Sequence, residues 1–218
     1  MGSFVAPRSR WLASRASRTW RWSSRPPPPV SVRLFLALEL TSGAADEVHS
    51  AIGPMRNAEP GFAWVPAHKL HLTLKFLGES DESRVAALIE AADRVAAANR
   101  PFEMELGGVG AFPNFRRPRV VWIGVASEPR LELLHHDVEL AAADVGYEVE
   151  GRPFRPHVTL ARVRAPLPPP RARTLARAAR AVSYSATLFV DRLTLFDSAT
   201  AGADAHYRCL HTAALGGR

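Results

Sequence analysis

The sequence contains a single cysteine and two lysines, and none of its apolar runs is long. Cys209 alone can form neither an intramolecular disulfide nor a cysteine-based zinc site, so nothing in the chain requires an oxidising compartment. The apolar runs fall short of the roughly 18 to 20 residues that cross a bilayer as a helix, which points to a soluble chain. Several catalytic signatures are also missing: the sequence has no His-Glu-x-x-His, no Asp-x-Asp cluster, no Gly-x-x-x-x-Gly-Lys-Ser/Thr loop and no Gly-x-Ser-x-Gly elbow. Zincin, P-loop and α/β-hydrolase chemistries are set aside on that ground, and no metal or cofactor is expected. The scarcity of lysine, Lys69 and Lys75 against 26 arginines, reads as genome composition rather than function.

Acidic residues are absent from residues 1–30, which hold Arg8, Arg10, Arg15, Arg18, Arg21 and Arg25. The formal net charge of +7 therefore belongs to this arm, since residues 31–218 carry 22 basic and 21 acidic side chains. A near-neutral body does not argue for a grip on a long polyanion. The arm closes with Pro26-Pro27-Pro28-Pro29, which favours polyproline II over helix or sheet, so a folded unit is expected over 31–218. Three readings of residues 1–30 stay open. The preferred one is a translation start placed upstream of the true one at Val30 or Val32; the others are a flexible nucleic-acid or membrane-surface arm and a transit-like peptide.

With 218 residues and 47% hydrophobic composition, the chain can build one sizeable core or two small lobes. Arg33–Leu40 reads as a strand and Ala44–Met55 as a helix behind a Thr41-Ser42-Gly43 cap signal. His71–Phe76 alternates with period two and is expected to end at Gly78. Ser80–Ser83 caps a helix to about Ala98, followed by strands over Phe102–Phe112 and Arg119–Val125 and a helix over Leu131–Val145. After a proline-containing approach, His157–Leu160 repeats the alternation; a helix over Arg171–Val182, a long strand over Ala186–Phe196 and a last strand over His206–Leu210 complete the order. The succession is a weak internal repeat that suggests two similar lobes.

The chemistry lies in two triplets, His71-Leu72-Thr73 and His157-Val158-Thr159. In a strand, residues i and i+2 share a face about 6.5 Å apart, so each triplet presents an imidazole beside a hydroxyl while the residue between them is buried. About 0.1 such triplets with apolar flanks are expected by chance in this composition, so two copies are a signal. Lys75 extends the first polar face to three residues. A neutral imidazole takes a proton from water, a protonated one gives a proton to a leaving oxygen, and the hydroxyls hold phosphate oxygens, which together suit metal-free phosphoester cleavage. The other histidines have no partner pattern, and structural roles are expected for them.

Four segments carry a resemblance: Arg33-Leu34-Phe35-Leu36-Ala37-Leu38, Leu70–Gly78, Phe112-Pro113 through Trp122, and Pro153–Arg162. In order and content, over about Val32 to Leu210, they resemble the RNA 2′,3′-cyclic phosphodiesterases, or 2′-5′ RNA ligases, of the two-histidine (2H) phosphoesterase superfamily. The resemblance implies a bilobal α+β fold with pseudo-two-fold symmetry, in which two antiparallel sheets face a central cleft with helices outside. It implies hydrolysis of RNA or nucleotide 2′,3′-cyclic phosphate ends to 2′-phosphate, with 2′-5′ ligation as the reverse reaction. By analogy His71 is the proton donor to O3′ and His157 the proton acceptor that activates water; the two motifs are too alike for sequence to assign those directions. Thr73, Thr159 and Arg162 are the expected phosphate-binding residues. Strict alternation places Arg162 opposite His157, so its role requires the strand to end or bulge around Leu160. Phe35 is a candidate for stacking on a base, set against plain core packing, and Arg116, Arg117, Arg119, Arg152 and Arg155 are candidates for the cleft mouth. The expected partner is RNA with a cyclic phosphate end or a cyclic nucleotide, and the expected setting is a monomer in the cytoplasm, away from membranes. Two alternatives are kept: a phosphodiesterase for another small cyclic nucleotide or ADP-ribose cyclic phosphate, and a nucleotide- or RNA-binding module without turnover.

Overall fold

The computed structural model describes residues 31–199 and 206–216; the expected arm at 1–30 lies outside them. The chain runs β1 (Ser31–Glu39), α1 (Ser42–Ala51), α2 (Gly53–Ala58), β2 (Ala63–Trp64), β3 (His71–Asp81), α3 (Val85–Ala98), β4 (Phe102–Phe112), β5 (Val120–Val125), α4 (Pro129–Asp144), β6 (His157–Arg162), α5 (Pro169–Ala181), β7 (Ser185–Val190), β8 (Arg192–Ala199) and β9 (His206–Ala214).

Every strand pairing is antiparallel, in the order β7-β4-β5-β6-β3-β1-β8-β9, with β2 added beside β6. The two expected sheets are the two four-stranded halves of this order, and they are joined where β3 meets β6 through the pair Leu72–Val158. The His-x-Thr strands thus lie side by side at the seam. Leu72 and Val158 are fully buried, as the alternation predicts for the residue between each histidine and threonine.

The helices bury their apolar stripes against these strands. α3 turns Leu88, Ala91, Ala92, Val95 and Ala96 inward, and α4 turns Leu131, Leu134, Val138 and Ala142 inward. Each fully buried leucine contributes about 1.5–3 kcal/mol of transfer free energy. The predicted helix over Ala44–Met55 is instead two helices broken at Ile52, because Pro54 in the first turn of α2 has no N–H to continue α1. Thr41 caps α1 as expected, its hydroxyl accepting from the Ala44 amide at 3.4 Å.

Two further expectations change. Gly78 does not end its strand: β3 continues to Asp81, and Gly78 (φ +70°) takes up an irregularity in the pairing with β1, a backbone that side-chain-bearing residues rarely adopt. The long strand over Ala186–Phe196 is broken at Asp191 into β7 and β8, which belong to different halves. Residues 102–190 supply all four strands of the β6 half, whereas the β3 half combines β1 and β3 with β8 and β9. The sequence repeat therefore does not coincide with the lobes; the final strand pair of each repeat is built into the other lobe.

Candidate active site

β3 and β6 carry the same sequence of burial: histidine half-buried, apolar residue buried, threonine half-buried, then two consecutive buried residues and one exposed. The phase slips because each strand contains an extra residue. Leu36 pairs with Lys75 and Ala37 with Thr73, leaving Leu74 unopposed; Val121 pairs with Ala161 and Trp122 with Thr159, leaving Leu160 unopposed. A one-residue slip moves the following side chains to the other face. The fifth position after each histidine therefore returns to the cleft, and the bulge that Arg162 required is present at Leu160. The same slip corrects the expectation for Lys75. It leaves the His-Thr face and becomes buried, bordering the same cavity beside Glu139, and Phe76 takes the position equivalent to Arg162.

The resulting cleft, about 750 Å³, is lined by His71, Thr73, Phe76, His157, Thr159 and Arg162, with Tyr207, Arg33, Arg152 and Arg155 around them. All the predicted catalytic and phosphate-binding positions thus meet in one cavity. Arg152 and Arg155 reach it, but Arg116 and Arg117 lie in a turn where the Asn114 side chain accepts from both their amides, and neither they nor Arg119 line the cleft. Phe35 borders the cavity but is only 2% exposed; it packs against Phe196 and beside the His71 ring, with centroids 5.0 Å apart in both cases, the core packing set against a stacking role. Phe76, also on the cavity wall, is 67% exposed.

The two imidazoles are held alike. Nδ1–H of His71 donates to the Lys69 carbonyl at 2.8 Å, and Nδ1–H of His157 donates to the Arg155 carbonyl at 2.7 Å. A carbonyl only accepts, so each bond fixes the proton on Nδ1 and leaves Nε2 as the atom that exchanges protons. Each ring also stands edge-on to an aromatic: Tyr207 for His71 (5.2 Å, 89°) and Phe112 for His157 (5.0 Å, 86°). The sequence carries little signal of these supports, because Tyr207 is remote in the chain and both acceptors are backbone groups.

Burial holds His71 below the ordinary imidazole pKa; the Lys69 carbonyl opposes this, while the positive charge of Arg162 and the neighbouring His157 add to it. If His71 is the acid, kcat/KM requires its protonated form and falls as pH rises through that lowered pKa. Arg162→Met removes one of the depressing charges, so the alkaline limb of the kcat/KM profile should move to higher pH even as the rate falls. A profile measured between about pH 5 and pH 8 whose alkaline limb stays in place or moves down would sink the assignment of His71 as the acid.

Known proteins resemble this chain in sequence and architecture. A sequence model of the 2′-5′ RNA ligase superfamily matches residues 44–202. An RNA 2′,3′-cyclic phosphodiesterase of Methanothermobacter thermautotrophicus is 32% identical over 137 residues, covering 63% of this chain and 74% of the relative. One from Geobacillus stearothermophilus is 37% identical over 152 residues, covering 68% of this chain; the chain spans about half of that relative's length (48%). Among solved structures, TT0787 of Thermus thermophilus superposes with a TM-score of 0.68 at 30% identity, covering 85% of this chain and 98% of that one. E. coli LigT complexed with 3′-AMP superposes with a TM-score of 0.67 at 29% identity, covering 85% and 99%. With the superfamily match extending over most of the chain and α+β neighbours of the same architecture, the chain belongs to the 2′-5′ RNA ligase superfamily.

Proposed function

We infer that this chain hydrolyses RNA or nucleotide 2′,3′-cyclic phosphate ends to 2′-phosphates by acid/base catalysis between two histidines. The observation that carries the reading is the pair of Nδ1-anchored imidazoles lining one cleft, each beside a threonine. The relatives named RNA 2′,3′-cyclic phosphodiesterase support the substrate class. Nε2 of neutral His157 takes a proton from water as it attacks phosphorus; the bond from phosphorus to O3′ breaks, and O3′ leaves with the proton of His71. The Thr73 and Thr159 hydroxyls donate to the non-bridging oxygens, and the Arg162 guanidinium balances the charge that builds on them. Replacing either threonine by valine removes one hydrogen bond, so it is expected to cost about tenfold in kcat/KM, less than a histidine.

Phe76 is the surface on which the base of the terminal nucleotide stacks. Base–aromatic stacking contributes about 1–3 kcal/mol, so Phe76→Ala should raise KM for a nucleoside 2′,3′-cyclic phosphate by about tenfold. A base-free ribose 2′,3′-cyclic phosphate should be unaffected, and an equal loss on both substrates would remove Phe76 from this role.

The deciding experiment is hydrolysis of a nucleoside 2′,3′-cyclic phosphate, and of a short RNA carrying the same end, in the presence of EDTA, with 2′- and 3′-phosphate products resolved. A 2′-phosphate that depends on His157 is expected. Turnover abolished by EDTA and restored by zinc would overturn the mechanism; binding without turnover would favour a binding module. The protein is expected to act as a cytoplasmic monomer. Among the described residues no helix is long and apolar enough to cross a membrane.

A further inference from the structure

Between α4 and β6 the chain runs through twelve residues, 145–156, without helix or strand, and ends directly at His157. This stretch makes none of the ladder bonds that hold the rest of the cleft wall, yet the Arg155 carbonyl that fixes the His157 tautomer belongs to it. Its first residues are held by backbone bonds from the Val145, Gly146 and Tyr147 amides to the Ala142 and Ala143 carbonyls; beyond Tyr147 the hydrogen bonds that hold it come from side chains. Arg84 donates to the Gly146 carbonyl at 3.4 Å, near the start. Further on, Nζ of Lys75 donates to the Glu148 carbonyl at 2.6 Å and to Oε2 of Glu139 at 2.6 Å, and the same Oε2 accepts from the Glu150 amide at 2.9 Å. Glu139 Oε1 lies 3.7 Å from Nε2 of His135. The His135 ring in turn stacks on Phe154, centroids 3.9 Å apart, immediately before Arg155.

Lys75 stands on the His71 strand, and Glu139 on α4; both side chains are only 6% exposed. A buried ion pair is a weak source of stability, because desolvation offsets most of the attraction and an apolar pair of similar volume serves as well. What this pair does that an apolar pair could not is bond to the Glu148 carbonyl and the Glu150 amide. It ties the strand of one histidine to the approach of the other.

We propose that Lys75 and Glu139 are positioning residues for His157, acting through the 148–155 backbone to place the Arg155 carbonyl against Nδ1. The proposal rests on the reading of His157 as the base. A shift of about 1 Å in a catalytic group can cost on the order of 10²-fold in rate, and the Nδ1–H bond would be lost over the same distance.

The test is the double variant Lys75→Met/Glu139→Leu, which removes both charges together and leaves neither buried alone. It is expected to stay folded, with kcat for a nucleoside 2′,3′-cyclic phosphate reduced about tenfold to a hundredfold and KM changed by less than about threefold. Its His157 ring nitrogens, read by ¹⁵N NMR, should change from one Nδ1–H tautomer to an average of two. Wild-type kcat together with an unchanged tautomer would overturn the proposal and leave the pair a packing feature. If the double variant does not fold, Lys75→Met alone is read by the same two measurements with the same overturning result. The NMR reading needs no turnover, so it decides the positioning role even if the wild-type protein fails to hydrolyse the substrate and the functional reading falls.

Discussion

His157→Ala should lower kcat/KM on a nucleoside 2′,3′-cyclic phosphate by about 10²–10⁴, and His71→Ala should do the same. Each removes one Nε2 from a cleft in which, on the proposed mechanism, the attacking water loses a proton while the leaving oxygen gains one. The backbone bonds at Nδ1 mean that neither ring can turn to substitute for the other: each is fixed to the carbonyl two residues before it. The losses should not add. Once one proton transfer is missing, the concerted step is already lost, and the double variant should be about as slow as the slower single one. The threonines, Arg162 and the cleft remain in all three, so KM should change far less than kcat. A single histidine variant that keeps more than about a tenth of wild-type activity would be incompatible with the mechanism.

Leu72→Ala should carry the largest penalty in stability, about 2–5 kcal/mol, seen as a fall in Tm on the order of 10 °C. Leu72 is fully buried and forms, with Val158, the registered pair at which the two four-stranded halves join. Truncating it leaves a cavity between His71 and Thr73 in sequence and between the lobes in space. Surrounding groups cannot easily collapse into that cavity, because backbone hydrogen bonds fix both strands. Thermal unfolding followed by circular dichroism measures the effect, and a drop below about 2 °C would show that the seam is held elsewhere.

The two His-x-Thr strands and most helices could be read from the chain because period-two and helical burial are local patterns, whereas the meeting of His71, Thr73, His157, Thr159 and Arg162 is expected only from the family resemblance. The slips at Leu74 and Leu160 were only partly legible. A bulge is chosen by the facing strand, and β1 and β5 are distant in sequence. Arg162 forced the question at Leu160, whereas Lys75 fits simple alternation and so conceals the identical slip at Leu74. Phe35 and Phe76 both border the cavity, and only burial in the fold separates them, 2% exposed against 67%. The break at Asp191 coincides with a change of phase that a single long strand passes over: the buried apolar residues are Leu188 and Val190 before it and Leu193 and Leu195 after it, and β7 and β8 on its two sides pair with different halves.

That division at Asp191 governs how the molecule can assemble as it is synthesised. The lobe bearing His157 draws its four strands from one continuous stretch, 102–190, and has all of them once that stretch has emerged. The lobe bearing His71 begins first and finishes last, since Leu36 on β1 must wait for Leu195 on β8 before its outer edge is covered. Pairings so distant in sequence are slow to form and leave an open strand edge in the meantime. The half that holds His157 therefore has all its strands before the half that holds His71, and until β8 emerges the outer edge of β1 is open to any other unpaired strand nearby.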